Sequence, residues 1–198
     1  MTYFSSDFKL GILGGGQLGK MMLTETRKFD IQTYVVDPSS EAPCQFGATK
    51  FFQGSLNDYQ TVMDLGNQVD VLTIEIENVN LEALEALEAA GKKVYPSPKT
   101  LRLISNKGNQ KDFYIQHNVP TAPYKRFATL QALKDEVNKG NIEMPFVWKA
   151  TEGGYDGNGV KVVRKIEDLN TLPETECIAE TMIPFKNELA VIVARSAS

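Results

Sequence analysis

The chain opens on a pattern that leaves few folds available. The apolar run KLGIL at 9–13 passes into Gly14-Gly15-Gly16-Gln17-Leu18-Gly19 and then into KMMLTETRKF, whose helix-forming residues place apolar side chains at Met21, Met22 and Phe29. A strand, a glycine turn and a helix in that order begin a parallel α/β sheet. Residues 31–36 (IQTYVV) read as the next buried strand, ending at Asp37-Pro38, and Phe51-Phe52 as a short third. Another strand is expected over 69–76 (VDVLTIEI). It is followed by LEALEALEAAGKK, where Leu81, Leu84 and Leu87 recur at helical spacing as a core stripe and Gly91 supplies the stop.

Pro96 and Pro98 mark a boundary, after which residues 99–118 read as a polar helical connector. A second unit follows from about 119. Its expected elements are a strand at 125–127, a helix at 130–139, a strand at 146–150, the glycine-rich EGGYDGNG, and strands at 160–164 and 177–180. Strands joined by tight glycine turns with one helix predict a small α+β unit, not a second parallel sheet. The apolar run 189–194 predicts one more strand. With 198 residues, 42% of them hydrophobic, there is material for one substantial core or two small ones.

Charge and rare residues remove several function classes. Lys+Arg 21 against Asp+Glu 25 gives a net charge of -4, which does not supply the cationic surface a nucleic-acid backbone needs. No run approaches the roughly 18 apolar residues of a membrane span, and MTYFSSDFKLG lacks a basic region followed by an apolar block, so a cytoplasmic protein without a membrane partner is expected. Cys44 and Cys177 are far apart and in no CxxC or Cys/His spacing, which suggests neither a disulfide framework nor a zinc site. The single histidine, His117, lies in QHNVP and reads as a structural residue at a helix end. Any chemistry must therefore rest on carboxylates, lysines, backbone amides and a borrowed cofactor.

Four segments carry such groups. Gly14, Gly16 and Gly19 fit GxGxxG with Asp37 at the end of the next strand, which taken alone is a dinucleotide-binding fingerprint. Its physical content is narrower: glycines turn the backbone tightly and present amides at a helix N-terminus, which attract any phosphate or carboxylate, and they also permit plain strand-to-helix packing. Glu75 and Glu77 alternate with Ile74 and Ile76, so both acids are expected on one face of a strand end, where open parallel sheets bind ligands. Such carboxylates suit substrate hydroxyl or amino groups, with a solvated strand end as the alternative for at least one of them.

Lys149 ends the strand FVWKA just before GGYDGNG. An ammonium beside an amide-rich loop suits a triphosphate, although GxxxxGK[ST] is absent. The glycines alone read equally as a β-hairpin, but Tyr155 and Asp156 are more than a hairpin tip requires. Glu180 closes a strand and Glu188 follows across TMIPFKN. A carboxylate at a strand end can accept hydrogen bonds from an adenine or ribose edge, with surface placement the default for both.

Taken together, these segments resemble the ATP-grasp superfamily, and within it the N5-carboxyaminoimidazole ribonucleotide synthetase family. The resemblance rests on GGGQLGKM at 14–21, Glu75-Ile76-Glu77-Asn78, Lys107 and Lys111, Pro120-Thr121-Ala122-Pro123, Lys149 with GGYDGNG, and ETMIPFKNELAVIVAR at 180–195. It runs in order along nearly the whole chain, and its last two motifs are the specific ones. It implies an α/β fold with a Rossmann-like pre-ATP-grasp domain at 1–98, a connector at 99–118, a small α+β lid subdomain at 119–186, and at 187–198 the first strand of a third unit that is otherwise missing.

The resemblance further implies that Lys107 and Lys149 contact ATP phosphates and that Gly154, Tyr155, Asp156, Gly157, Asn158, Gly159 and Val160 form a phosphate-covering loop. By the same carry-over Glu180, Thr181, Met182 and Ile183 line the adenine and Glu188 holds the ribose. Gln17, Leu18, Glu75, Tyr155 and Asp156 face the aminoimidazole nucleotide or the reactive intermediate, with Glu77 a further substrate-binding candidate and Tyr155 and Asp156 the catalytic ones. Asp156 is the candidate for proton handling or substrate orientation. Lys107 stands where some relatives have arginine, which keeps the charge but loses the bidentate fork.

The implied reaction is ATP- and bicarbonate-dependent carboxylation of 5-aminoimidazole ribonucleotide through carboxyphosphate, in purine biosynthesis, by a homodimer that uses Mg²⁺. No metal ligands are expected within these residues, and on this reading the chain is an N-terminal half, inactive or nearly so by itself. The alternatives are a related ATP-grasp formyltransferase or carboxylase acting on another amine, a noncatalytic binding fragment, and an NAD-binding oxidoreductase. The last leaves GGYDGNG and residues 180–195 unexplained.

Overall fold

The structure, a computed structural model, describes residues 6–153 and 159–194. The chain divides into two compact units, Met1–Ser105 and Asn106–Ser198.

In the first unit β1 (Lys9–Leu13), β2 (Gln32–Asp37), β3 (Lys50–Gln53), β4 (Val71–Ile74) and β5 (Lys93–Tyr95) make a sheet in the order β3-β2-β1-β4-β5. Every neighbouring pair is parallel. The unbroken apolar run of β1 has a physical reason, because successive side chains point to opposite faces and both faces are covered. Ile12 packs with Leu23, Val35 and Cys44 on the side of α1 (Gln17–Thr26). Leu13 packs with Val62, Leu65, Leu84 and Leu87 beneath α2 (Tyr59–Gln68) and α3 (Leu81–Ala89), which carries the expected leucine stripe, and α4 (Pro98–Ile104) adds Leu101. The chain leaves β1 toward β2 and β3, then crosses back to β4 and β5. The crevice between the C-terminal ends of β1 and β4 is therefore the topological switch point where open α/β sheets bind ligands.

Three expectations change here. The strand expected over 69–76 stops at Ile74, and Glu75, Ile76 and Glu77 lie in a bend. Two elements, α2 and β5, were not expected at all. β5 is only three residues long, and α2 buries just Val62, Leu65 and Gly66, too sparse a stripe to stand out.

The second unit holds α5 (Lys107–Gln116), β6 (Tyr124–Phe127), α6 (Leu130–Asn138), β7 (Phe146–Ala150), β8 (Val160–Val163) and β9 (Cys177–Thr181). Its strands form an antiparallel sheet in the order β6-β9-β7-β8. Alternation separates its two faces. Phe146, Trp148 and Ala150 of β7 join Cys177 and Ala179 of β9 in a core with Leu130, Leu133 and Val137 of α6. Val147 and Lys149, with Ile178 and Glu180, point the other way. On that second face α5 packs against β9, while Val160 and Val162 of β8 are exposed.

The expected single connector is two helices. Asn106 ends the continuity because its side chain accepts from Asn109 N at 2.9 Å and caps α5 anew. The division between units falls at this residue, so α4 belongs to the first unit and α5 to the second. His117 is structural, as read: its ring stacks on Phe113 at 4.0 Å and its Nδ1 lies 2.9 Å from the Phe113 carbonyl at the end of α5. The strand expected from 187 onward is not formed over the described residues 187–194. A strand exists by pairing, no described segment pairs with these residues, and Leu189 and Ile192 are 89% and 99% exposed. No helix among the described residues is long and apolar enough to cross a membrane.

Candidate functional site

Each unit presents its own candidate. In the second unit the centre is Glu180, whose side chain is 6% exposed and which sits in the central strand β9 between Tyr124 of β6 and Val147 of β7. Its Oε2 lies 2.6 Å from Lys149 Nζ and its Oε1 2.6 Å from Lys111 Nζ. The second contact is an ion pair without hydrogen-bond alignment at Oε1. Two ammonium groups against one carboxylate leave this cluster with one net positive charge. On a sheet face that α5 covers at β9 and that is exposed at Val160 and Val162 of β8, that charge favours an anion.

The helix beside it is held by a second network. Arg126 of β6 donates through Nε to Glu176 Oε1 at 2.5 Å and through Nη1 to Asn109 Oδ1 at 3.1 Å and Asp112 Oδ2 at 3.2 Å. The Tyr124 hydroxyl donates to Asp112 Oδ1. Burial, with that hydrogen bond second, pushes the Tyr124 hydroxyl up to about 12. At the N-terminus of α5, Lys107 N donates to Thr151 O at 2.8 Å and Asn106 Nδ2 to Glu152 Oε1 at 2.9 Å. The helix start is thereby tied to the chain that leaves β7. A cleft of about 600 Å³ beside the end of β9 is lined by Tyr124, Met144, Pro145, Glu180, Thr181 and Met182, among others.

The sequence-derived residues of this unit are distributed as follows. Lys149 and Glu180 are brought into contact, and Lys107 sits one helical turn before Lys111 on α5. Thr181 and Met182 line the cleft, Ile183 and Glu188 are exposed in the segment after β9, and Gly159 is the turn residue before Val160, which begins β8. Gly154, Tyr155, Asp156, Gly157 and Asn158 lie outside the described residues. Lys111 was not among the expected site residues. Its partners come 10 and 69 positions later, so nothing in the local pattern of a polar helix marks it.

In the first unit the glycine turn lies at the switch point with Glu75 against it. A Cβ on Gly14 would stand 2.8 Å from Glu75 Oε2, and one on Gly16 2.8 Å from Glu75 Oε1. Gly14 also has φ +98, a conformation that favours glycine. On the other side Asp37 Oδ2 accepts from Gly15 N at 2.7 Å. The sheltered Cys44 thiol is pushed up by burial first and then by the charges of Glu75 and Asp37. Gln17 and Leu18 are exposed at the start of α1, directly after the glycine turn. The strand expected to carry Glu77 ends at Ile74, so the alternation with Glu75 is not formed there, and Glu77 is exposed in the bend that follows. No group of three or more His, Cys, Asp or Glu that could hold a metal ion occurs among the described residues.

Two family models match the chain: the ribonucleotide synthetase preATP-grasp domain over residues 8–105 and the ATP-grasp domain over 112–198. A phosphoribosylaminoimidazole carboxylase of Ogataea methanolica is 37% identical over 94% of this chain and 36% of its own length. An N5-carboxyaminoimidazole ribonucleotide synthase of Bacillus subtilis is 34% identical over 94% of this chain and 50% of its own. The structure superposes on the N5-carboxyaminoimidazole synthase of Aspergillus clavatus in complex with ADP and 5-aminoimidazole ribonucleotide. That match has a TM-score of 0.80 and 30% identity, and covers 93% of this chain and 48% of that one. The synthetase of Thermotoga maritima gives a TM-score of 0.80 at 31% identity, over 90% and 47%. The chain thus spans about half the length, or less, of the relatives it matches. With a pre-ATP-grasp unit followed by ATP-grasp sequence along nearly its whole length, the chain belongs to the ATP-grasp superfamily, in its N5-carboxyaminoimidazole ribonucleotide synthetase family.

Proposed function

We propose that these residues carry the ATP-phosphate site and part of the ribonucleotide site of an enzyme that makes N5-carboxyaminoimidazole ribonucleotide. The observation that carries this reading is the net positive cluster Lys111, Glu180 and Lys149 on one face of the antiparallel sheet, where Lys149 leads into the glycine-rich segment. Lys149 and Lys107 neutralise phosphate oxygens, and residues 154–160 cover them with backbone amides. Glu180 to Ile183 hold the adenine edge and Glu188 the ribose. At the other unit's switch point Glu75, Gln17 and Leu18 receive the aminoimidazole nucleotide through its donors.

The reaction proceeds in two steps. Bicarbonate attacks the γ-phosphorus of ATP, giving carboxyphosphate and ADP. The exocyclic amine of aminoimidazole ribonucleotide then attacks the carboxyphosphate carbon, releasing inorganic phosphate and one proton. Asp156 is the assigned acceptor of that proton and Tyr155 its neighbour at the intermediate. Water must be excluded from carboxyphosphate, which gives the glycine segment a role beyond binding. Mg²⁺, when bound, would neutralise charge on the phosphate oxygens. The described residues do not form a shell for it, so no step here runs through the metal. Homodimer formation belongs to the same reading and is checked by light scattering.

Calorimetric titration of the chain with ATP, ADP, NAD and 5-aminoimidazole ribonucleotide tests the proposal. Binding of ATP and ADP with no response to NAD supports it. NAD binding with ATP silent overturns it in favour of a dinucleotide site.

A further inference from the structure

The two lysines that hold Glu180 are not equivalent. Lys111 is 11% exposed and its Nζ is enclosed by three oxygens: Glu180 Oε1 at 2.6 Å, Thr121 Oγ1 at 2.5 Å and Ala122 O at 3.3 Å. Of the three donors of an ammonium, two are taken by Thr121 and Ala122, and the Glu180 oxygen is held as a close ion pair, so Lys111 is engaged by protein on every side that these residues present. Lys149 is 28% exposed, and its partner among the described residues is Glu180 Oε2 at 2.6 Å. It is the penultimate residue of β7, shortly before the glycine-rich segment, and part of its donor capacity is open among the described residues. Glu180 itself is too buried to be left alone, because an uncompensated carboxylate in such a place is strongly unfavourable.

We propose that Lys111 is a positioning residue, the permanent counter-ion that holds the Glu180 carboxylate in place for the nucleobase, while Lys149 is the exchangeable one that leaves Glu180 for the ligand's phosphates. This rests on the nucleotide reading above and adds a division of labour to it. When Lys149 turns to the phosphates, Lys111 continues to compensate the buried charge. An ionised carboxylate only accepts hydrogen bonds, so the Glu180 it fixes discriminates for a base edge bearing an amino donor and against one bearing a carbonyl. Phosphate affinity is then set by Lys149, and base selectivity by Lys111 acting through Glu180.

The experiment compares binding of ATP, GTP and inorganic tripolyphosphate to the chain and its variants by calorimetry. Wild type is expected to prefer ATP over GTP. Lys111→Met lowers that ratio by about tenfold, the equivalent of one misplaced hydrogen bond to a charged group, and weakens tripolyphosphate as well because one positive charge leaves the cluster, whereas Lys111→Arg keeps that charge and holds tripolyphosphate affinity within about twofold. Lys149→Met weakens all three ligands together and preserves the ratio. A lesion that merely loosened the fold would lower tripolyphosphate affinity in Lys111→Arg too. If the bared Glu180 charge unfolds Lys111→Met, Lys111→Arg takes its place, which keeps the charge but spreads it over a planar fork, and the ratio falls by about threefold. An unchanged ratio in the folded Lys111 variants, or loss of tripolyphosphate affinity in the charge-conserving Lys111→Arg, overturns the proposal while leaving the nucleotide site standing. Absence of binding by all three ligands to wild type overturns both.

Discussion

Asp37 Oδ2 accepts a 2.7 Å hydrogen bond from the amide of Gly15, and its Oδ1 accepts one of 2.8 Å from Ser39 N. In a dinucleotide-binding turn the acid at the end of the second strand faces a ribose and the glycine amides face a pyrophosphate. Here the acid and the amide are joined to each other across 22 residues. Glu75 stands against the opposite side of the turn, and α1 is the one α-helix among the described elements whose N-cap makes no side-chain hydrogen bond. The positive end of that helix is thus answered by carboxylates from within the fold. A ligand arriving at this crevice meets two negative charges, which favour its hydroxyl and amino groups and oppose its phosphates.

Asp37→Ala removes the acceptor for Gly15 N–H, a group with little access to water. The expected cost is about 1–3 kcal/mol of unfolding free energy, and NAD should not stabilise the variant any more than it does wild type. Urea denaturation with and without NAD measures both, and a variant as stable as wild type would show that the bond does not hold the turn together.

Gly14→Ala and Gly16→Ala are expected to differ in kind. At Gly14 a side chain meets Glu75 and must also adopt φ +98, so substitution costs about 1–3 kcal/mol whatever Glu75 does. Gly16 has an ordinary φ of -73, and the only obstacle within 3 Å is the Glu75 carboxylate, the far end of a flexible chain. Gly16→Ala should therefore melt within a few degrees of wild type yet displace Glu75 and weaken binding of 5-aminoimidazole ribonucleotide about tenfold, one good hydrogen bond to a charged group. Equal loss of melting temperature in both variants would mean that Glu75 cannot move.

Much of the architecture was legible because parallel and antiparallel sheets leave different marks. The run KLGIL is apolar in both phases because both faces of β1 are covered, whereas FVWKA alternates, burying Phe146, Trp148 and Ala150 and leaving Lys149 for the site. The same alternation misled at TIEIEN. Its period of two continues past Ile74, but the backbone leaves the sheet there, so Glu75 turns in against the glycines and Glu77 out to water. Lys111 was visible as part of the family pattern but carried no role, since an ion pair between a helix and a strand far along the chain leaves no periodic trace. The split of the connector at Asn106 was written as a capping residue, in a stretch too polar to show where one helix stopped and the next began.

Tyr124 gives the chain a dependence on alkaline pH. Burial first, and its bond to Asp112 second, raise its hydroxyl from 10.0 to about 12, so the folded state binds this proton more tightly than the unfolded state does. The corresponding stability is present below pH 10 and is lost as pH climbs toward 12. One of the seven tyrosines should ionise late in a spectrophotometric titration of the folded chain. Tyr124→Phe deletes that late step, and Asp112→Asn moves it back toward 10. Ionisation of all seven in a single step with the chain still folded would contradict the assignment.

The most exacting test concerns Gly108 and Arg126. Alanine in place of a helical glycine ordinarily stabilises by up to about 1 kcal/mol. At Gly108 of α5, however, a Cβ would lie 2.8 Å from Arg126 Cζ, 2.9 Å from its Nε and 3.1 Å from its Nη1. A free guanidinium would step aside, but this one is bound at once to Glu176, Asn109 and Asp112, so making room means breaking the contacts that fasten α5 to β6 and to the start of β9. Gly108→Ala is accordingly expected to destabilise by about 1–2 kcal/mol, against its helix propensity. Arg126→Gln alone costs about 1 kcal/mol, because the arginine is a third exposed and its pairs are screened by water. In the double variant the obstacle is gone and the alanine's propensity is recovered, so it should be no less stable than Arg126→Gln alone. The resulting coupling of about 1 kcal/mol or more, read from urea denaturation, is far outside the additivity of independent sites. Strictly additive free energies would mean that Arg126 is mobile in solution and that α5 is positioned by its Lys111 contact instead.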